Sequence, residues 1–180
     1  MSDVEGRVVE SRAFRDAFGA FATGVAVVTA QGPDGPVGLT TNAVTSVSLD
    51  PPLFLVCFAT SSRTLEVVRD AGALAVSVLR HSQEPMAVAF ASKHDHAVKF
   101  QGIALADVGG VPAIAGAATA VSGTIDELVH AGDHDIVICR ATAIQFDEDA
   151  EPLLFHRGRF GALAAEAAPG PEEPSGDDVA

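Results

Sequence analysis

The chain has 180 residues, of which 48% are hydrophobic, and a formal net charge of −13 at pH 7. This length can bury one sizeable core, which predicts a single domain and excludes a chain that is disordered throughout. Because five acids and no base lie in residues 165–180, the rest of the chain carries −8. An acidic surface repels phosphate backbones, so nucleic acid is not expected as a partner.

Targeting signals and cysteine usage point to a cytoplasmic protein with no membrane partner. No apolar run reaches the roughly 18–20 residues that a membrane-spanning helix needs, and the start, MSDVEGRVVE, lacks a signal-peptide layout. The two cysteines, Cys57 and Cys139, lie inside apolar runs and form no spaced framework. We therefore expect two buried thiols, with neither a structural disulfide nor a metal site.

The first half of the chain predicts one helix followed by strands. Phe14, Phe18 and Phe21 recur at helical spacing, which predicts an amphipathic helix over residues 10–22 with Ser11 as its cap. Its Phe face is expected in the core or at a subunit interface. Apolar and β-branched runs predict strands at 25–30, 37–48, 53–59 and 73–79, with a short helix at 64–70.

The second half predicts a long antiparallel pair. Alternating segments at 117–128 and 135–147 are joined by a short turn, and a last strand is expected at 153–156. Residues 84–91 predict a helix, 92–96 a solvated polar loop rather than a metal site, and 100–115 turns with one short extended piece.

These elements predict a mainly β fold. Six or seven strands, mostly linked as hairpins and accompanied by short helices, favour an antiparallel β-barrel over a doubly wound sheet. Neither a G-x-G-x-x-G nor a G-x-x-x-x-G-K-[ST] motif is present. The expected boundaries are a flexible N-terminus at 1–9, one domain at 10–163 and a disordered acidic tail at 164–180.

Residues 38–64 predict a binding ledge. Small hydroxyl and amide side chains fill its first part, and an apolar run fills its second. Pro51 and Pro52 separate the two parts because neither can donate to a sheet ladder. Hydroxyls and one cation then precede a helical pattern, where a phosphate could meet free N–H groups. A plain solvent-exposed strand followed by ordinary cap and turn residues is the alternative interpretation.

Six segments stand in order over about residues 12–163: FRDAFGAFATGVAVVTA, GLTTNAVTSVSLDPPLF, SSRTLEVV, FASKHDHAVKF, AGDHDIVICRA and PLLFHRGRF. Together they resemble the short-chain flavin reductase family, the reductase components of two-component flavin-dependent monooxygenases. The resemblance implies an FMN-binding split β-barrel, a homodimer, and hydride transfer from NADH or NADPH to FMN or FAD. The reduced flavin would then pass by diffusion to a partner monooxygenase.

The resemblance also implies a set of binding residues. The flavin ring would lie against one strand and its neighbour, at Asn42, Ala43, Val44, Thr45, Ser46, Ser48, Cys57, Phe58 and Ala59. The phosphate would be held by Ser62, Arg63, Ser92 and Lys93. The nicotinamide would lie near His134, Phe155, His156, Arg157 and Gly158. No catalytic acid or base is implied, because hydride passes between the cofactors. His134 is expected to position the nicotinamide.

Two other functions fit the same fold. One is a flavoprotein that keeps its flavin bound and acts on its own substrate, and the other is a non-catalytic flavin- or haem-binding module. The residues leave open FMN against FAD. No cationic patch outside the ledge suggests a 2′-phosphate site, which favours NADH over NADPH. Where family members often have Tyr near the C-terminal strip, this chain has Phe155, His156 and Phe160.

Overall fold

A computed structural model describes residues 9–163 of the chain. The tail predicted at 164–180, and all but Val9 of the N-terminus predicted at 1–9, lie outside the described residues. Within residues 9–163 the helices are α1 Ser11–Phe18, α2 Arg63–Ala71, α3 Glu84–Ala91 and α4 His96–Lys99, with a 3₁₀ turn at His81–Gln83. The strands are β1 Thr23–Gly24, β2 Ala26–Gly32, β3 Gly35–Thr41, β4 Val44–Leu49, β5 Pro52–Ala59, β6 Ala73–Val78, β7 Leu105–Val108, β8 Val111–Ile114, β9 Thr119–Ala131, β10 His134–Phe146, β11 Leu154–His156 and β12 Arg159–Gly161.

Seven strands form one sheet in the order β3-β2-β6-β9-β10-β5-β4, with every neighbouring pair antiparallel. The two edge strands, β3 and β4, are consecutive in the chain and separated only by Asn42 and Ala43. A segment this short spans about 10 Å at most. The edges of the sheet must therefore meet, and the sheet rolls into a split barrel.

The corner at Asn42 and Ala43 corrects the single strand predicted over 37–48. The hydroxyl of Thr41 accepts a hydrogen bond from the Ala43 N–H at 3.0 Å, and the Ala43 carbonyl accepts one from the Cys57 N–H at 3.0 Å. The backbone of Ala43 is thus satisfied outside β3. At this corner the chain stops pairing with β2 on one side of the barrel and begins to pair with β5 on the other.

The β9–β10 hairpin confirms the predicted antiparallel pair and is longer than predicted, at 13 residues in each strand. Its turn consists of Gly132, with a left-handed φ of 68°, and Asp133. A side chain on Gly132 would be strained at that φ. The strand β10 also pairs with β5, which sets His134 opposite Ala59.

The helix α1 differs from its prediction. It ends at Phe18 rather than at residue 22, and its N-cap position is Glu10 rather than Ser11. No residue of α1 is buried, and Phe14, Phe18 and Phe21 are 57%, 65% and 73% exposed. The aromatic face of this helix therefore lies outside the core of a single chain.

The core lies inside the rolled sheet and beneath α3. Its main cluster includes Val28, Val56, Phe58 and Leu74, and a second cluster is centred on Phe90, Leu79 and Leu153. Across residues 9–163, no helix is long and apolar enough to cross a membrane.

Candidate functional site

The four residues predicted to hold a phosphate lie together. A cleft of about 640 Å³ opens where the end of β5 meets the start of α2 and the loop between α3 and α4. Its polar lining contains Ser62, Arg63, Ser92 and Lys93, with Thr40, Thr64, His96 and Lys99 added by the fold.

Each of the predicted phosphate residues that makes a hydrogen bond also has a local structural role. Ser62 caps α2, because its hydroxyl accepts a hydrogen bond from the Leu65 N–H at 3.4 Å. The Ser92 hydroxyl donates to the Ala89 carbonyl at 2.7 Å, and the Arg63 guanidinium donates to Asp95 at 3.1 Å. The capping interpretation thus holds for Ser62 without removing it from the cleft.

The cleft gathers the basic side chains of Arg63, Lys93, His96 and Lys99, and is hereafter the cationic cleft. Lys99 donates to the Phe90 carbonyl at 3.1 Å, and burial followed by the nearby charge of Arg63 lowers its pKa. Burial, then Lys99 and Arg63, also lowers the pKa of His96. Because these groups penalise one another's positive charge, an anion bound here would relieve their repulsion.

Sequence reasoning did not include His96 and Lys99 among the residues expected to hold the phosphate. The residues 92–96 were expected to form a solvated loop, but His96 begins α4 and its ring is half-buried. A spacing of three residues sets His96 and Lys99 on one face of a helical turn. That spacing is the sequence signal that could have identified these two residues.

The residues predicted to line the flavin ring do not all lie in one cleft. Asn42 lies at the corner, where its amide donates to the Thr23 hydroxyl at 3.1 Å, and with Val44 and Thr45 it lines a cleft of about 370 Å³. Ala43 is exposed beside them, and Ala59 lines the cationic cleft. Ser46 and Ser48 lie farther along the edge strand, outside these clefts.

The strand β5 presents fewer side chains to the clefts than expected. Phe58 is 1% exposed and packs in the main core, so only its backbone could meet a ligand. Cys57 points the other way and is half-buried rather than buried as expected. Cys139 is buried, as predicted, and both thiols are free. Burial raises the pKa of both thiols, that of Cys139 to about 12 with help from Asp126.

The residues predicted to contact the nicotinamide lie beside α1. A cleft of about 840 Å³ is lined by His134, Phe155, Asn42 and the aromatic residues of α1. Arg157 and Gly158 line an adjoining cleft that shares Phe155, whereas His156 is exposed and lines neither.

His134 forms a close pair with its neighbour. Its Nδ1 lies 2.7 Å from Asp133 Oδ1, and this hydrogen bond, with the charge of His134, lowers the pKa of Asp133. The Asp133 carbonyl accepts a hydrogen bond from the Thr60 N–H at 3.0 Å. The turn thus fixes Asp133, as turn chemistry predicts, and holds His134 at the mouth of the large cleft.

Two of the three clefts share a lining residue, and a strand pairing links the third to them. Asn42 lines both the large cleft and the 370 Å³ cleft, and Ala59, which lines the cationic cleft, pairs with His134 across the sheet. A flavin nucleotide has an anionic phosphate at one end and a flat ring with amide-like edges at the other. The cations of one cleft and the polar corner beside apolar walls match these two ends.

The rolled antiparallel barrel and its cationic cleft define a split-barrel protein built to bind a nucleotide. The chain belongs to the flavin reductase-like domain family, whose family model matches residues 18–164. The predicted family and fold are confirmed.

Curated relatives are named as flavin reductases. A probable flavin reductase of Rhizobium meliloti is 44% identical over 154 residues, which are 85% of this chain and 49% of that protein. The chain thus spans about half the length of this relative. An NADH-dependent flavin reductase of a Rhodococcus species is 36% identical over 83% of this chain and 84% of its own length.

Solved structures agree with the fold. The NADH:FAD oxidoreductase SgcE6 of Streptomyces globisporus, in complex with NAD and FAD fragments, is 34% identical with a TM-score of 0.81, over 91% of this chain and all of that one. The styrene monooxygenase flavin reductase of Pseudomonas putida S12 is 32% identical with a TM-score of 0.79, over 86% of this chain and 99% of that one.

The cationic cleft predicts that Arg63→Gln weakens FMN binding about tenfold, equivalent to about 1.4 kcal/mol, because one charge-assisted hydrogen bond to phosphate is lost. Riboflavin, which has no phosphate, should bind both forms equally. Quenching of flavin fluorescence measures both affinities. Arg12→Gln is the matched control, since Arg12 has a 93% exposed side chain and lies outside the cleft. Equal loss of FMN and riboflavin would contradict the assignment.

Proposed function

We propose that the chain is an NAD(P)H:flavin oxidoreductase that reduces FMN or FAD with NADH and supplies the reduced flavin to a partner monooxygenase. One observation carries this proposal: Ala59, which lines the cationic cleft, pairs across the sheet with His134, which lines the large cleft. A flavin nucleotide with its phosphate in the cationic cleft and a nicotinamide beside His134 would bring the two rings together. The relatives named above as NADH-dependent and as a monooxygenase flavin reductase support the same activity.

The residues of the chain bind and orient the flavin and the nicotinamide, and they need not transfer protons. A bound flavin supplies the hydride acceptor, and a nicotinamide supplies the hydride. Arg63 and Lys93 hold the phosphate, and Asn42, Val44 and Thr45, which line one cleft together, lie against the ring edge. His134, held through Nδ1 by Asp133, has Nε2 available to hydrogen-bond the nicotinamide.

We further propose a homodimer that acts in the cytoplasm. Many large apolar side chains remain exposed on the single chain, and exposed apolar side chains that cluster commonly mark a protein contact. They include Phe14, Phe18, Phe21, Val47, Leu49, Ile144 and Phe146. The two free thiols suit a reducing compartment.

The first test is steady-state oxidation of NADH and NADPH with FMN, FAD and riboflavin in turn. We expect NADH oxidation that depends on added FMN or FAD, with a higher Michaelis constant for riboflavin because it lacks phosphate. Loss of dihydronicotinamide absorbance measures the rate. Absence of any flavin-stimulated oxidation would instead favour a non-catalytic module. A flavin that stays bound through gel filtration, with slow turnover of added flavin, would favour a flavoprotein with its own substrate.

The position of His134 predicts that His134→Ala raises the Michaelis constant for NADH about two- to tenfold, the effect of losing one hydrogen bond. The Michaelis constant for flavin should change little. His81→Ala is the control, because His81 is exposed and outside the three clefts. Unchanged turnover and an unchanged NADH Michaelis constant would remove His134 from the site.

The dimer predicts a sedimentation-equilibrium mass of twice the 18.4 kDa of one chain. The expected cause is burial of the exposed aromatic and aliphatic side chains between two copies. A mass of one chain at micromolar concentration would rule the dimer out.

A further inference from the structure

Within residues 9–163, one buried side-chain polar atom has no hydrogen-bond partner, and it is Nε2 of His96. His96 lines the cationic cleft beside Arg63 and Lys99. A buried donor or acceptor left unpaired in a folded protein calls for an explanation, because its hydration has been lost without replacement. An absent ligand is one such explanation.

The geometry fixes which ring nitrogen carries the proton. Nδ1 of His96 accepts a hydrogen bond from the Gly38 N–H at 3.3 Å. A neutral imidazole has one donor and one acceptor nitrogen, so the proton lies on Nε2. The unpaired atom is therefore an N–H donor, which is the group that an anionic oxygen needs.

We propose that His96 is a phosphate ligand of this cleft, whose Nε2–H donates to a phosphate oxygen of FMN or FAD and makes the site selective for flavin nucleotides over riboflavin. The proposal rests on the function proposed above and deepens it. His96 would act beside Arg63 and Lys93. It differs from them in being held in place by the backbone at Gly38.

A small adjustment must accompany binding. Nε2 is closed off from solvent in this arrangement, so a phosphate oxygen reaches it only after a neighbouring side chain moves. The side chain of Arg63 is 61% exposed, and within residues 9–163 its one ion pair is with the exposed Asp95. Such a surface ion pair is weak, and an incoming dianion would compete for the guanidinium.

His96 acts as a neutral donor rather than as a cation. A second proton on the ring would point at the Gly38 N–H, and it would add charge beside Arg63, Lys93 and Lys99. Asp95 is the one carboxylate that favours the charged ring, and burial with the two nearest cations outweighs it, which lowers the pKa of His96. The contribution of His96 to phosphate binding should therefore be constant at neutral and mildly alkaline pH.

Two substitutions separate the donor from the rest of the ring. His96→Asn keeps an acceptor for the Gly38 N–H but removes the donor at Nε2, whereas His96→Gln extends an amide N–H to that position. We expect His96→Asn to weaken FMN and FAD about tenfold, the size of a hydrogen bond to a charged group, and to leave riboflavin unchanged. His96→Gln should recover most of this loss. Flavin fluorescence quenching measures the affinities, and His94→Asn, at an exposed position two residues before His96, is the control.

The loss in His96→Asn should be the same at about pH 7 and about pH 8.5, where the FMN phosphate stays a dianion. A loss that grows toward the lower pH would overturn the neutral donor. Equal weakening of FMN and riboflavin, or no weakening of FMN, would overturn the phosphate contact.

A measurement on the wild-type chain does not depend on the variants folding. In protein labelled with ¹⁵N at histidine, the Nε2–H signal of His96 should shift on adding FMN and stay in place on adding riboflavin. An unshifted signal with bound FMN would contradict the proposal. If wild type binds no flavin at all, the proposed function itself fails, which is a separate outcome.

Discussion

The arrangement of this protein depends on the two-residue connection between the edge strands β3 and β4. Because Asn42 and Ala43 cannot span more than about 10 Å, the seven-stranded sheet has to roll until its edges meet. The Ala43 carbonyl then pairs with the Cys57 N–H instead of extending β3. The corner lies between two clefts, because Asn42 lines both of them.

The β9–β10 hairpin brings the residues of the candidate site together. The strand β10 pairs with both β9 and β5, so the turn at Gly132 and Asp133 is brought beside the end of β5. One end of β5 therefore serves two clefts, through Ala59 on one side and its partner His134 on the other. Only three residues separate β5 from the start of α2, which brings Ser62 and Arg63 to the same end. The registers of β10 with β5 and with β9 thus bring together residues that are far apart in the sequence.

Local patterns predicted most of the hairpins and a mainly β fold, because alternation and turn chemistry act over a few residues. The residues expected to share a cleft came chiefly from the family resemblance. Local patterns failed where a longer-range constraint decides. Nothing local in the run 37–48 shows that the chain changes sheet edge at Asn42, and the burial of Phe58 follows only from which face of β5 lies inward. The β7–β8 hairpin was missed although Gly109 and Gly110 mark its turn. His96 was missed because its burial depends on β3.

The exposure of the phosphate-binding side chains bears on whether flavin is a substrate or a fixed group. Arg63 and Asp95 are largely exposed, and exposed charge pairs contribute about 0–1 kcal/mol each because water screens them. Under the proposed assignment, several such contacts, with one better-sheltered donor at His96, would hold an anion selectively without making it slow to leave. The neighbouring clefts are open, and the two cysteines are a half-buried and a buried thiol of raised pKa, poorly suited to a covalent link. This balance favours a flavin that exchanges with solution, as a carrier of reducing equivalents to a second protein must.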